Sequence, residues 1–147
     1  MTDYRELFDH IHEVRGHLNT LRDEMYAAGL AHDWSKAEPE EEALFIPVEL
    51  RFPYGTDEYE AVKASVSGAV EHHYAKNRHH PEHHDEGVKG MTLVDVCEMF
   101  CDWLAATKRC EKDNIHSSID YNQKRFKMSD ELVSILHNTA REVFGEE

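Results

Sequence analysis

Apolar residues near the start of the chain fall at Tyr4, Leu7, Phe8, Ile11, Val14, Leu18, Leu21, Met25 and Ala28. Steps of three and four place them on one face of a long amphipathic helix, expected over about 3–28. Thr2 or Asp3 can cap its start, and Gly29 is placed to end it. Pro39, followed by Glu40, Glu41 and Glu42, reads as a further helix start that should stop near Pro47. Phe52-Pro53-Tyr54-Gly55 reads as a loop. A second long helix is expected from Asp57 to about Asn77, with Tyr59, Val62, Val66, Ala69 and Val70 inward. His73 continues that stripe and His72 is rotated away from it. Pro81 interrupts the stretch that follows, so the chain through Gly90 reads as a loop. Thr92 caps a third helix to about Lys108, with Val96, Met99, Phe100, Trp103 and Leu104 as core positions. Ser129 caps a final helix carrying Leu132, Ile135, Leu136 and Val143, while residues 113–128 give no clear pattern. No strand alternation, repeat or linker is visible. The expected architecture is an all-α single domain, a helical bundle over 1–147 with its site-bearing core at about 3–108.

Charge narrows the partners. Thirty acidic residues against sixteen basic ones give a formal net charge of −14. Such a surface repels nucleic acid and anionic membranes, and any phosphate-handling site would need local positive charge. No apolar run approaches the roughly 20 residues that span a membrane. The N-terminus does not read as a signal peptide, and three cysteines, Cys97, Cys101 and Cys110, show no disulfide framework. These features point to reduced thiols and a cytoplasmic location, with a homodimer left open.

Histidine usage changes the picture most. Eight of the twelve histidines lie in two places, His10 with His12 and the six from His72 to His84. His32-Asp33 offers two ligand-type side chains on adjacent residues. On a regular helix these diverge by about 100°, so both can meet one ion only at a helix end or bend. The alternative is a turn with Asp33 as a helix cap. His17 lies beside the apolar stripe of the first helix, either as a hydrogen-bonded core histidine or as a ligand. Asp95, Glu98 and Asp102 form an acidic line on the third helix. Asp102, next to Trp103, should need a cation, either Arg109, a lysine or a metal. His79 and His80 follow directly on the helix carrying His73, whereas His83 and His84 fit a solvated loop. Cys97 and Cys101 fit helix packing better than a soft-metal site. Lys36 either faces the site or pairs with a surface acid such as Glu38 or Glu40.

In order, His17, His32-Asp33, His73, His79-His80 and Asp102 resemble the pattern of the HD-domain superfamily of metal-dependent phosphohydrolases. The blocks HDWSK, NRHHPEHH and EMFCDW are similar to a small HD-like family of bacteria and phages, over roughly residues 14–108. The resemblance implies an HD-like bundle and a divalent ion (Mn, Co, Fe, Ni, Zn or Mg) held by His17, His32, Asp33 and Asp102. His73, with His79 or His80, matches the positions of a second metal in larger branches, or else would meet the substrate. It also implies hydrolysis of a nucleotide or other small phosphate ester. Lys36 and a protonated His79 or His80 would neutralise phosphate oxygens, and Asp33 or a nearby acid would serve as general base. Two other readings stay open: an HD-fold iron-dependent oxygenase, and a non-enzymatic acidic binding protein whose histidines are structural.

Overall fold

A computed structural model describes residues 4–44, 52, 55–108 and 114–146, and the regular structure of these residues is entirely helical. Helix α1 runs from Arg5 to Ala31, about 40 Å at 1.5 Å per residue. It passes through Gly29 instead of ending there. The stop lies at His32, where ψ leaves the helical range at 124°, and Asp33, which takes the left-handed conformation with φ 58° and ψ 15°. Asp enters that region more readily than most residues. The Trp34 indole N–H donates to the Leu30 carbonyl at 2.7 Å, partnering one of the last carbonyls of α1.

Two 3-10 turns, Trp34–Ala37 and Pro39–Leu44, carry the chain away from α1. Thr2, Asp3, Arg109 and Cys110 lie outside the described residues. So do the expected stop near Pro47 and Pro53-Tyr54 of the expected loop. The single helix expected from Asp57 is two, α2 (Asp57–Ser65) and α3 (Ser67–Lys76), separated at Val66 with φ −115°. The break falls at Val66-Ser67-Gly68, three residues of low helix propensity in succession. Two more 3-10 turns, Pro81–His83 and Gly87–Gly90, shape the histidine-rich segment. His83 and His84 are not simply solvated. Their ring nitrogens lie 3.0 Å and 2.9 Å from the carbonyls of Tyr74 and Arg78, which fastens this segment to the end of α3.

Helix α4 (Leu93–Thr107) begins at a capping box, in which Thr92 accepts from the Asp95 N–H and Asp95 accepts from the Thr92 N–H. Helices α5 (Ile115–Phe126) and α6 (Asp130–Phe144) are capped by Asn114 and Ser129. The core lies among these last three helices. It comprises Met99, Phe100 and Leu104 of α4, Ile115 and Ile119 of α5, Met128, and Val133, Leu136 and Ala140 of α6. Helix α5 occupies the segment without a clear pattern because its inward face, Ile115, Ile119 and Asn122, has only two apolar members. The core is not built on α1, where no residue is buried. Phe8 is 65% exposed and Leu18 59%.

Within α6 the expected core position Ile135 is 59% exposed, whereas its neighbour Leu136 is buried. Val143 is also exposed. Leu136→Ala should therefore cost about 2–5 kcal/mol and Ile135→Ala less than about 0.5 kcal/mol, measured by urea unfolding. Equal losses would contradict this facing of α6.

Candidate metal centre

The end of α1, the first 3-10 turn, the end of α3, the loop after it and the middle of α4 converge on Asp33. Its Oδ1 lies 3.3 Å from His73 Nε2 and 3.6 Å from His79 Nε2. Its Oδ2 lies 3.5 Å from His32 Nε2 and accepts from the Lys36 ammonium. Asp102 Oδ1 approaches the same His32 Nε2 at 3.6 Å. His80 Nε2 stands 2.9 Å from His73 Nε2.

Two carboxylates orient the imidazoles. Glu98 Oε1 accepts from Nδ1 of both His32, at 2.9 Å, and His79, at 3.0 Å. Glu41, fully buried, accepts from Nδ1 of His73 at 2.8 Å and of His72 at 2.9 Å. With Nδ1 donating, the Nε2 atoms of His73 and His79 face Asp33 and that of His32 faces Asp33 and Asp102, whereas His72 Nε2 faces Glu38 at 3.4 Å. A carboxylate accepting from Nδ1 fixes the tautomer and the orientation of an imidazole ring. Asn77 donates to the Ser35 hydroxyl at 2.6 Å and to the His73 carbonyl at 2.8 Å, joining the first 3-10 turn to the end of α3. Arg78 meets Asp95 through two hydrogen bonds, at 3.0 Å and 2.9 Å, anchoring the histidine loop to the start of α4.

Electrostatics match a cation site. Four carboxylates, those of Asp33, Asp102, Glu98 and Glu41, are gathered with one lysine, an arrangement unfavourable without further positive charge. Burial works to raise the Asp33 carboxyl, but the hydrogen bond and charge of Lys36, joined by His32 and His73, together hold the group below the usual carboxylate range. Burial likewise opposes ionisation of Glu98, yet the hydrogen bonds from His32 and His79 bring it down to about 2. His32 is raised to about 10 by its hydrogen bonds to Asp102 and then Glu98. Without a metal, a proton on His32 is the cation these carboxylates draw in. Burial and the neighbouring His79 and His73 push His80 down to about 2, so His80 presents a lone pair at neutral pH.

The residues fit a divalent ion. Asp33 Oδ1 and His79 Nε2 are buried and have no hydrogen-bond partner. Buried polar atoms are normally satisfied, and a metal ion would satisfy both. Asp33, His73, His79 and His80 offer ligand atoms within 4.8 Å of one another, as do His32, Asp33 and Asp102. Asp33 belongs to both groups, so its two oxygens can serve two adjacent ions. Mixed imidazole and carboxylate donors suit Zn, Mn, Fe, Co or Ni.

Of the residues singled out in the sequence, the structure brings together His32, Asp33, Lys36, His73, His79, His80 and Asp102. His17 does not join them. It is exposed on α1, and on a helix unbroken to Ala31 it stands about 22 Å along the axis from His32. Asp95 belongs to the capping box and the Arg78 pair. Glu98 was visible only as part of an acidic line. Glu41 was visible only as a helix-start acid, because nothing local to it signals a partnership with His72 and His73 across thirty residues.

Asp33→Ala and Asp102→Ala should each lose metal, and His17→Ala should keep it, by elemental analysis of protein purified without a nickel column. Normal metal content in Asp33→Ala would remove Asp33 from the ligand set. Glu41→Gln should weaken metal binding about 10-fold to 100-fold through the freed His73 ring.

Affinity should fall as pH drops below about 10, because the raised His32 imidazole binds a metal only when neutral. At about pH 7.5 metal entry should expel the His32 proton, seen as net proton release by calorimetry in buffers of different ionisation enthalpy. Binding without proton release would show that His32 is not a ligand. In the metal-free protein the raised His32 stabilises the fold fully below about pH 6.5, and this contribution fades as pH rises through about 10.

No match was found among curated proteins, and none among solved structures. A family model does match, over residues 1–143, and its description is a family of unknown function, DUF5662. With nearly the whole chain covered, the protein belongs to this family.

Proposed function

We propose that the protein is a metal-dependent phosphohydrolase acting on a nucleotide or other small phosphate ester. The observation that carries this reading is Asp33, with one oxygen facing His73 and His79 and the other facing His32 and Lys36. A carboxylate shared between two ligand groups suits a one- or two-metal hydrolytic centre, and the lysine places a positive charge at its edge. A bound ion would supply Lewis acidity, lowering the pKa of a water and offsetting charge on a phosphoryl oxygen. The chain's own residues do the rest. Lys36 is partly exposed and can turn toward a nonbridging oxygen, giving the local positive charge that a chain of net charge −14 otherwise lacks. Glu98 and Glu41 hold the imidazoles in place through the reaction. Asp102 or Asp33 is placed to take a proton.

The HD-like order of His32-Asp33, the later histidines and Asp102 supports the same reading. The nucleotide preference rests on Trp34, which is 70% exposed, directly follows Asp33 and is pinned through its indole N–H. A fixed, open aromatic face is a platform on which a base can stack. Among the described residues no helix is long and apolar enough to cross a membrane. The cysteine pattern fits a reducing cytoplasm. The same donor set suits iron.

A phosphatase screen with added manganese or cobalt, run beside aerobic iron reconstitution, tests the reading. Hydrolysis of a phosphate ester supports it. No hydrolysis with any divalent metal, or an oxygen-dependent optical band with iron, overturns it. Lys36→Ala should keep its metal and lose about 10-fold to 1000-fold in kcat/KM, the loss of one charge-stabilising donor. Trp34→Ala should raise KM for a nucleotide while leaving that for p-nitrophenyl phosphate unchanged. Unchanged kinetics in Lys36→Ala would mean that the lysine does not reach the phosphate.

A further inference from the structure

The apolar stripe of α1 is a strict heptad seam. Tyr4, Ile11, Leu18 and Met25 are seven apart, as are Leu7, Val14, Leu21 and Ala28, and the two series alternate in steps of three and four. That 3.5-residue repeat is the signature of a helix that packs against another helix along its length. Yet Leu7, Phe8, Ile11, Val14 and Leu18 are all at least 41% exposed. Further along, α1 and α4 border a groove of about 300 Å³. Its walls include Met25, Cys97, Cys101 and Ala105, and also His32, Glu98 and Asp102 of the candidate centre.

We propose that two copies of this chain pair antiparallel along α1, each laying the N-terminal half of its α1 into the partner's groove between α1 and α4. The register follows from the heptad. Setting Leu18 against Val14 of the partner subunit also sets Leu21 against the partner's Ile11, Met25 against the partner's Leu7 and Ala28 against the partner's Tyr4. Every seam position then meets an apolar one, and the partner's Tyr4 and Leu7 arrive at the groove. The same register brings His10 beside the partner's Glu24 and Phe8 beside the partner's Arg22, a hydrogen-bonding and a cation–π pairing. Its like-type neighbours are Arg15 with the partner's Arg15 and His17 with the partner's His17, at solvated edges where such pairs weigh little.

A parallel pairing fills the same apolar layers but sets His10 beside the partner's Arg15 and His17 beside the partner's Arg22. It also places two strongly acidic bodies at the same end. Helix α1 itself carries three arginines against five acids, so most of the net charge of −14 lies beyond it. Antiparallel pairing keeps those charges at opposite ends of a helix about 40 Å long. The exchanged arm borders His32, Glu98 and Asp102 and so covers one side of the candidate centre. The proposal stands independently of whether that centre hydrolyses phosphate.

Sedimentation equilibrium decides. The wild type should run at twice the 17.1 kDa chain mass down to low micromolar concentration. Ile11→Glu should raise the dimer dissociation constant at least about 100-fold, since it buries a charge twice in the seam. It should keep its metal and its helical circular dichroism, because no residue of α1 is buried against the described residues of its own chain. His10→Glu should weaken the antiparallel dimer about 3-fold to 10-fold by facing the partner's Glu24, and His10→Glu with Glu24→Arg should restore it. In a parallel dimer His10→Glu would instead tighten association, through the partner's Arg15. A wild-type monomer at about 100 µM, or a dimer untouched by Ile11→Glu, overturns the proposal. Tightening by His10→Glu overturns the antiparallel arrangement.

Discussion

A left-handed backbone at Asp33 turns the chain out of α1, and the candidate centre depends on that reversal. Had α1 continued, His32 and Asp33 would diverge by about 100° and could not share an ion. The turn lets His32 Nε2 and Asp33 Oδ2 come within 3.5 Å, and it leaves Oδ1 facing His73 and His79. Asp33 is thus both the turn residue and the shared carboxylate. Of the alternative reading of the His-Asp pair the turn holds but the cap does not: the Asp33 side chain makes no capping hydrogen bond, and its oxygens face Lys36 and the imidazoles instead.

Around this point the scaffold works by clamping imidazoles in pairs. Glu98 holds His32 from the end of α1 and His79 from the loop after α3. Glu41 holds His73 and His72 from α3. Each clamp ties separate segments together, so the centre is also a structural junction. Helix α4 serves two neighbours at once. Met99, Phe100 and Leu104 face the core shared with α5 and α6, while Glu98 and Asp102 face α1. The capping box at Thr92 and the Arg78–Asp95 pair set where α4 begins relative to the histidine loop, and therefore where Glu98 meets His79.

Helix α1 plays an unequal part along its length. Its last turns supply His32 and lie against α4, whereas its first turns carry exposed apolar residues that no other described residue buries. An exposed apolar stripe of this extent on an otherwise acidic protein is more than scattered surface hydrophobicity. The heptad pattern of α1 asks for a helix partner that the described residues of the same chain do not supply over its first turns.

Local signals were enough for much of the molecule. Thr92, Ser129 and the Pro39 acids marked helix starts, since capping depends on neighbours within one turn. The adjacent His-Asp pair and the histidines near the end of α3 named most of the side chains that converge, because residue chemistry is written in the sequence whatever the fold. Three things were decided only by tertiary structure. His17 lies on the same unbroken helix as His32, so rigid helix geometry sets it about 22 Å away, whatever order the motif suggests. Glu41 became a clamp because the second 3-10 turn packs against α3, a contact that no spacing encodes. The stripe on α1 specified that something apolar must cover it, but a heptad is equally satisfied by its own core or by a partner. Which of these it faces is set by where the rest of the chain buries its own apolar surface, and here that is α4, α5 and α6.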